Sequence, residues 1–297
     1  MMLYDHISSN KRKSIFLIGL FFLIIGLLGY ALGAYLGNVF IGLAIAIIIS
    51  IIMTLISFYS GDKMILSMSH AIPADKKKYP HLVNSVEGLA IAAGIPAPKI
   101  YVIDDSAINA FATGRDPNHA AVTVTTGAVE RLKRDELEAV VAHEIAHIKN
   151  YDIRMMMLVV VLVGVIALLS DLFLRSFIYG RRKDNIKGGP VIAVIIGLGI
   201  ILAILSPLIA QLIKLSVSRK REFLADVDGA LLYRNPKSLA NALKAIRDDK
   251  EPLVEAANKA TAHLFIENPL RTFKGKVNNL FSTHPDINER IRILESM

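Results

Sequence analysis

Ile15 to Leu36, 22 consecutive residues without a charge, most constrain what this chain can become. As a helix rising about 1.5 Å per residue, such a run spans the hydrocarbon core of a bilayer. Only Gly37-Asn38 separates it from a second apolar run, Val39 to Tyr59. A signal peptide has a shorter apolar core followed by polar sequence, so two spans joined by a tight turn is the better reading. Lys11-Arg12-Lys13 ahead of the first span places the N-terminus on the cytoplasmic side, and two crossings return the chain there. Met155 to about Leu174, with Asp171 near its end, is a third apolar segment, and Pro190 to Ile213 is a fourth. These runs account for a hydrophobic content of 53% and a mean hydropathy of +0.47, values typical of a membrane protein. The net charge of +8 is carried largely beside them, where anionic lipid headgroups are the natural partners. No basic patch is interleaved with aromatics and there is no Trp, which argues against nucleic acid as a partner. With no Cys, disulfides and thiolate metal ligands are excluded.

Between the second and third apolar segments the chain is soluble in character. His70 to Pro80 reads as a basic linker, Leu82 to Ala93 as a helix capped at Gly94, and Lys99 to Asp104 and Ala120 to Thr126 as strands flanking a turn at Arg115 to Asn118. Two or three strands thus lead into Asp135 to Lys149, an amphipathic helix containing His143-Glu144-Ile145-Ala146-His147. Positions i and i+4 share a helix face, so both imidazoles can reach one metal ion. Glu144 lies about 100° round from His143, where it can hold a water rather than ligate. This H-E-x-x-H spacing on a helix is the zinc metallopeptidase signature, against the plainer reading of a surface helix with two histidines. His6, His70, His81, His119 and His263 have no such spacing.

A catalytic zinc site keeps three protein ligands and one open position. The positions after the motif that would supply a third histidine in the metzincin pattern hold Asn150 and Ile153 instead. A carboxylate from a separate helix remains, and Glu222-Phe223-Leu224-Ala225-Asp226 offers two on one face. Glu222 is the expected ligand, with Asp226 accepting the free N–H of a ligating histidine; the reverse assignment stays open. Asp152 reads as a helix-ending or supporting residue. Because His147 and Glu222 must meet at one ion, the intervening chain crosses the membrane an even number of times. The loop from Arg175 to Gly189 is strongly basic, which conflicts with a hairpin that leaves it outside. Whether the second pair crosses fully stays open.

These motifs, together with Thr283-His284-Pro285 and Asn109-Ala110-Phe111-Ala112, resemble those of the HtpX-type membrane metallopeptidases, relatives of the CAAX prenyl endopeptidases. The likeness runs from about residue 60 to the end, with the N-terminal spans in the expected place. It implies a mainly α membrane protein with four hydrophobic segments and a gluzincin-like α+β metallopeptidase domain with a small sheet. The expected organisation is an N-terminal hairpin (1–61), a first catalytic part with the motif helix (62–154), a second hydrophobic hairpin with its basic loop (155–213), and a second catalytic part with the third ligand (214–297). The implied enzyme is a zinc endopeptidase of the inner or plasma membrane, multi-pass, with one Zn2+ per chain and its catalytic domain facing the cytoplasm. It would cut misfolded or membrane proteins in stress response and protein quality control. His143, His147 and Glu222 are the expected zinc ligands and Glu144 the general base. His284 is the candidate oxyanion donor, with Arg290 a supporting charge. Asn109 is the candidate for holding substrate backbone beside the cleft strand, against an Asn that only forms a turn. A prenyl-protein endopeptidase is the nearest alternative. A metal-binding transporter is the alternative from another class, and it requires ionisable residues within the spans.

Overall fold

A computed structural model describes residues 3–35, 37–162, 164, 219–249, 251, 264–266 and 285–297. The fourth apolar run, most of the third, Asp171, the basic loop and His284 lie outside these residues.

The two N-terminal runs form long helices, α1 (Leu3–Tyr35) and α2 (Val39–Met68), each long and apolar enough to cross a membrane. Asn38 turns the chain between them, its side chain accepting the Ile41 N–H at 3.2 Å. The helices meet through glycine. A Cβ on Gly42 would come within 2.2 Å of the Gly29 carbonyl oxygen, and one on Gly29 within 2.3 Å of the Ala46 Cβ. Lacking those atoms, the backbones approach closely, and dispersion holds them where apolar lipid offers no hydrophobic drive. Ile15, Phe16, Phe40 and Ile48 are exposed on the outside of the pair, as a lipid-facing surface requires. The second helix outlasts its apolar run, continuing through Asp62 and Lys63 toward the catalytic domain.

That domain is built on a four-stranded sheet of order β1-β2-β4-β3. The strands are β1 (Ile72–Pro73), β2 (Lys99–Ile103), β3 (Ala110–Gly114) and β4 (Ala120–Thr125). β2 and β4 are parallel; β1 and β3 run antiparallel to their neighbours. β1 lies inside the segment expected to be linker. Two residues are too few for alternation to show in sequence, and pairing with β2 alone makes them a strand. Gly114, at φ 140°, lets β3 turn into β4 where a Cβ would meet the His119 carbonyl oxygen at 2.2 Å.

Around the sheet stand α3 (Pro80–Ala93), α4 (Thr126–Arg131) and the motif helix α5 (Arg134–Lys149). Then come α6 (helical from 152 to 162), α7 (Arg219–Tyr233), α8 (Pro236–Asp248) and α9 (Ile287–Glu295). Gly94 ends α3 in the left-handed conformation expected of it. At the start of α5, the Glu136 carboxylate accepts the Lys133 backbone N–H at 2.9 Å, satisfying an amide the helix cannot. Val86 of α3, Val122 and Val124 of β4, Val140 and Val141 of α5, and Leu243 of α8 share one core. A second core joins Ile65 and Leu66 of α2 to Phe111 of β3, Met157 of α6 and Phe265. Leu158 and Leu162 of α6 pack between Phe21 and Ile25 of α1 and Ala46 of α2. The N-terminal hairpin is therefore continuous with the catalytic domain.

Candidate metal centre

Helical spacing places His143 and His147 one turn apart, and both rings turn the same way. Their Nε2 atoms lie 3.2 Å apart, with the rings nearly perpendicular. Glu222 comes from α7, its carboxylate oxygens 3.9 Å from His143 Nε2 and 3.7 Å from His147 Nε2. Close approach of the two helices makes this meeting feasible. A Cβ on Gly229 of α7 would stand 2.9 Å from the backbone nitrogen and Cα of His143, a gap only glycine leaves open.

Each histidine leans on its own carboxylate, and each carboxylate on its own arginine. His143 Nδ1 lies 3.0 Å from Asp226 Oδ1, and Arg290 grips that carboxylate through Nε (2.8 Å) and Nη2 (2.7 Å). His147 Nδ1 lies 3.0 Å from Asp152 Oδ2, while Arg221 Nη1 stands 3.6 Å from Asp152 Oδ1. A carboxylate only accepts, so a proton on Nδ1 suits both rings, and Nε2 is the atom each turns toward Glu222. Both Nε2 atoms and the Glu222 carboxylate thus converge on one buried point, an arrangement that favours a cation there, whether proton or metal. His143, His147 and Glu222 form the only group of three or more potential ligands among the described residues, and all are buried.

Charge leads to the same conclusion. Glu144, Asp152, Glu222 and Asp226 are buried with Arg221 and Arg290. Among the described residues, four carboxylates against two guanidiniums are an excess of acidic groups, an environment that favours a bound cation. Burial acts against Asp226 ionising, yet Arg290 and His143 overcome it and hold the carboxyl down at about 2. Burial likewise opposes a proton on His147. Glu222 and Asp152 outweigh it, and the ring is pushed up to about 9. Glu144 is shifted the other way. Desolvation raises its carboxyl, only partly countered by the two histidines. A buried carboxylate with a raised pKa beside a metal position is suited to taking up and giving back a proton. Two nitrogens and one carboxylate oxygen form a donor set that zinc accepts with a position left open.

The family model for peptidase family M48 matches residues 76–297. The chain belongs to that family. Among curated M48-type relatives, the protease HtpX homologue of Dictyoglomus thermophilum is 44% identical over 294 residues, covering 99% of this chain and 94% of its own. That of Caldanaerobacter subterraneus subsp. tengcongensis is 42% identical over 299 residues, covering 99% and 98%. That of Streptococcus pneumoniae is 41% identical over 305 residues, with both chains covered in full. Among solved structures, S. mikatae Ste24p is 21% identical with a TM-score of 0.49, covering 98% of this chain and 66% of that one. As an M48 peptidase of the HtpX kind, the protein is a membrane-bound, zinc-dependent metalloprotease acting on protein substrates.

Within the M48 domain, the two carboxylates on α7 take distinct places. Glu222 faces the imidazole Nε2 atoms and Asp226 stands behind His143. Arg290 is fully buried, with its charge directed at Asp226 and its Nη1 donating to the Ile266 carbonyl at 3.0 Å. Asn109 heads the edge strand β3, its side-chain oxygen accepting the Ala110 N–H and its backbone paired with Thr125. The carbonyl of Asn109 points toward β4, so that of Ala110 points to the open side, where the Ile266 N–H meets it at 3.0 Å. Sequence reasoning did not single out Arg221, Asn10 or Gly229. Arg221 adjoins Glu222 in a basic run, where a charge facing solvent is the ordinary expectation; Asn10 lies outside every motif.

Proposed function

We propose that His143, His147 and Glu222 hold the catalytic zinc and that Glu144 is the general base. The observation that carries this is the convergence of three buried ligand atoms from α5 and α7 beside a buried carboxylate whose proton affinity is raised. Held by these three residues, zinc would supply a Lewis acid able to polarise the scissile carbonyl. Glu144 takes the proton of the attacking water and passes it to the departing amine. Asp226 and Asp152 keep the two imidazoles turned to the metal. The edge of β3 that does not pair with β4 carries substrate backbone, with Asn109 at its head. By family likeness His284 donates to the oxyanion. The segments 62–154 and 214–297 make one catalytic domain, anchored by the hairpin of 1–61. Lys11-Arg12-Lys13 at the head of the first span supports a cytoplasmic orientation. There the substrates are misfolded or membrane proteins, and the role is quality control.

The test compares detergent-purified wild type with Glu144→Gln on an unfolded protein substrate. The variant keeps one zinc per chain and loses cleavage at least ~100-fold, the usual contribution of a general base. Equal cleavage by both would overturn the assignment.

A further inference from the structure

The residue that completes the support of His147 comes from the first membrane helix. Asp152 follows α5 across a tight turn in which Tyr151 adopts φ 59°, and this reversal aims the carboxylate back at the ring five residues earlier. One oxygen, Oδ2, faces His147 Nδ1. The other, Oδ1, accepts the side-chain N–H of Asn10 at 2.8 Å, while the same amide donates to the Asn150 carbonyl at 3.0 Å. Asn10, Asn150 and Asp152 are all buried. Two neighbouring contacts fix the helix in this place: Lys11 Nζ lies 4.7 Å from the Tyr151 ring centroid, and Leu17 packs with Met155 and Val159. Arg221 stands 3.6 Å from the same oxygen, outside hydrogen-bond range. Asn10 therefore provides the close donor that holds Asp152 in register. Its two N–H groups match two acceptors of the turn, a fit that neither Ala nor Asp reproduces.

We propose that Asn10 is a positioning residue of the zinc site: by clamping the 150–152 turn it fixes Asp152, and through Asp152 the tautomer and direction of His147. The first membrane helix is thereby a working part of the metal centre as well as an anchor. This rests on His147 being a zinc ligand, as proposed above.

The experiment measures zinc affinity by chelator competition in the full-length, detergent-solubilised protein, alongside the melting temperature of the zinc-stripped form. Asn10→Ala weakens zinc by ~10-fold, the lower end for loss of a supporting partner of a metal ligand. Asn10→Asp, which sets a like charge against Asp152, weakens it further. The stripped Asn10→Ala form melts a few degrees below wild type, as loss of a buried hydrogen-bonding side chain entails, and Asn10→Asp lower still. In an Asp152→Ala background, Asn10→Ala changes zinc affinity less than twofold, because the path to His147 is already cut. Zinc affinity unchanged by Asn10→Ala overturns the inference, as does an equal loss in both backgrounds. Failure of wild type itself to bind zinc, or undiminished binding by His147→Ala, overturns the ligand assignment instead.

Discussion

Asp152 and Asp226 act alike on the two histidines, yet their own supports differ. Asp226 is held by two donors on one edge of the Arg290 guanidinium, Nε and Nη2. Removing that guanidinium strands a buried carboxylate. Arg290→Met is expected to cost about 3–5 kcal/mol of stability, read as a lower melting temperature, and to weaken zinc by ~10–100-fold. Arg290→Lys restores charge without the planar fork and recovers only part of the loss. The spacing of His143 with His147, and of Glu222 with Asp226, was legible in the sequence because each pair shares one face of its own helix. Which histidine Asp226 serves was not, since that depends on how α5 and α7 cross. Arg290 was legible as a charge near the site, but its partner became visible only through the fold. Asn10 and Arg221 carry no local signal, because their roles arise from contacts more than sixty residues away.

Among the elements, two crossings have the least room. Gly229 lets α7 lie against His143. Gly229→Ala inserts a Cβ within 2.9 Å of that backbone and should force the helices apart. Zinc stoichiometry of the purified variant is expected to fall well below one, whereas Gly88→Ala on α3, where a Cβ meets nothing within 4 Å, leaves it unchanged. Gly42 plays the equivalent part in the membrane. Gly42→Leu should separate α1 from α2 and lower the melting temperature, and, because Asn10 rides on α1, loosen zinc as well. The helix boundaries were readable from caps and apolar spacing, Gly94 being the clearest. β1 and α4 were not, being too short for any period to emerge. The full length of α2 was not legible because Asp62 and Lys63 end the apolar run while the helix continues toward β1.

For the whole molecule, pH acts in opposite directions on the metal-free and metal-loaded forms. His147 is raised from 6.5 to about 9 without zinc, so its proton stabilises the stripped fold below about pH 6.5. That contribution fades as pH climbs toward 9. Zinc requires the ring unprotonated, so its affinity should rise across the same window, with about one proton released per ion from this group. Melting curves at pH 6.5 and 9, with and without zinc, are expected to show a stripped form that loses stability and a zinc-induced gain that widens. The membrane character was legible from the first apolar run, and the transporter reading fell with family membership. The site gathers residues from α1, α5, α6, α7 and α9, so almost the entire described chain must exist before it closes. During translation, at about 5–20 residues per second, roughly 15–55 s separate the emergence of Asn10 from that of Arg290. The membrane hairpin can be inserted and the motif helix made while His143 still lacks the arginine-held carboxylate that aims it. A ribosome-bound copy that has not yet made Arg290 is thus expected to lack a working centre and to leave its neighbours uncut.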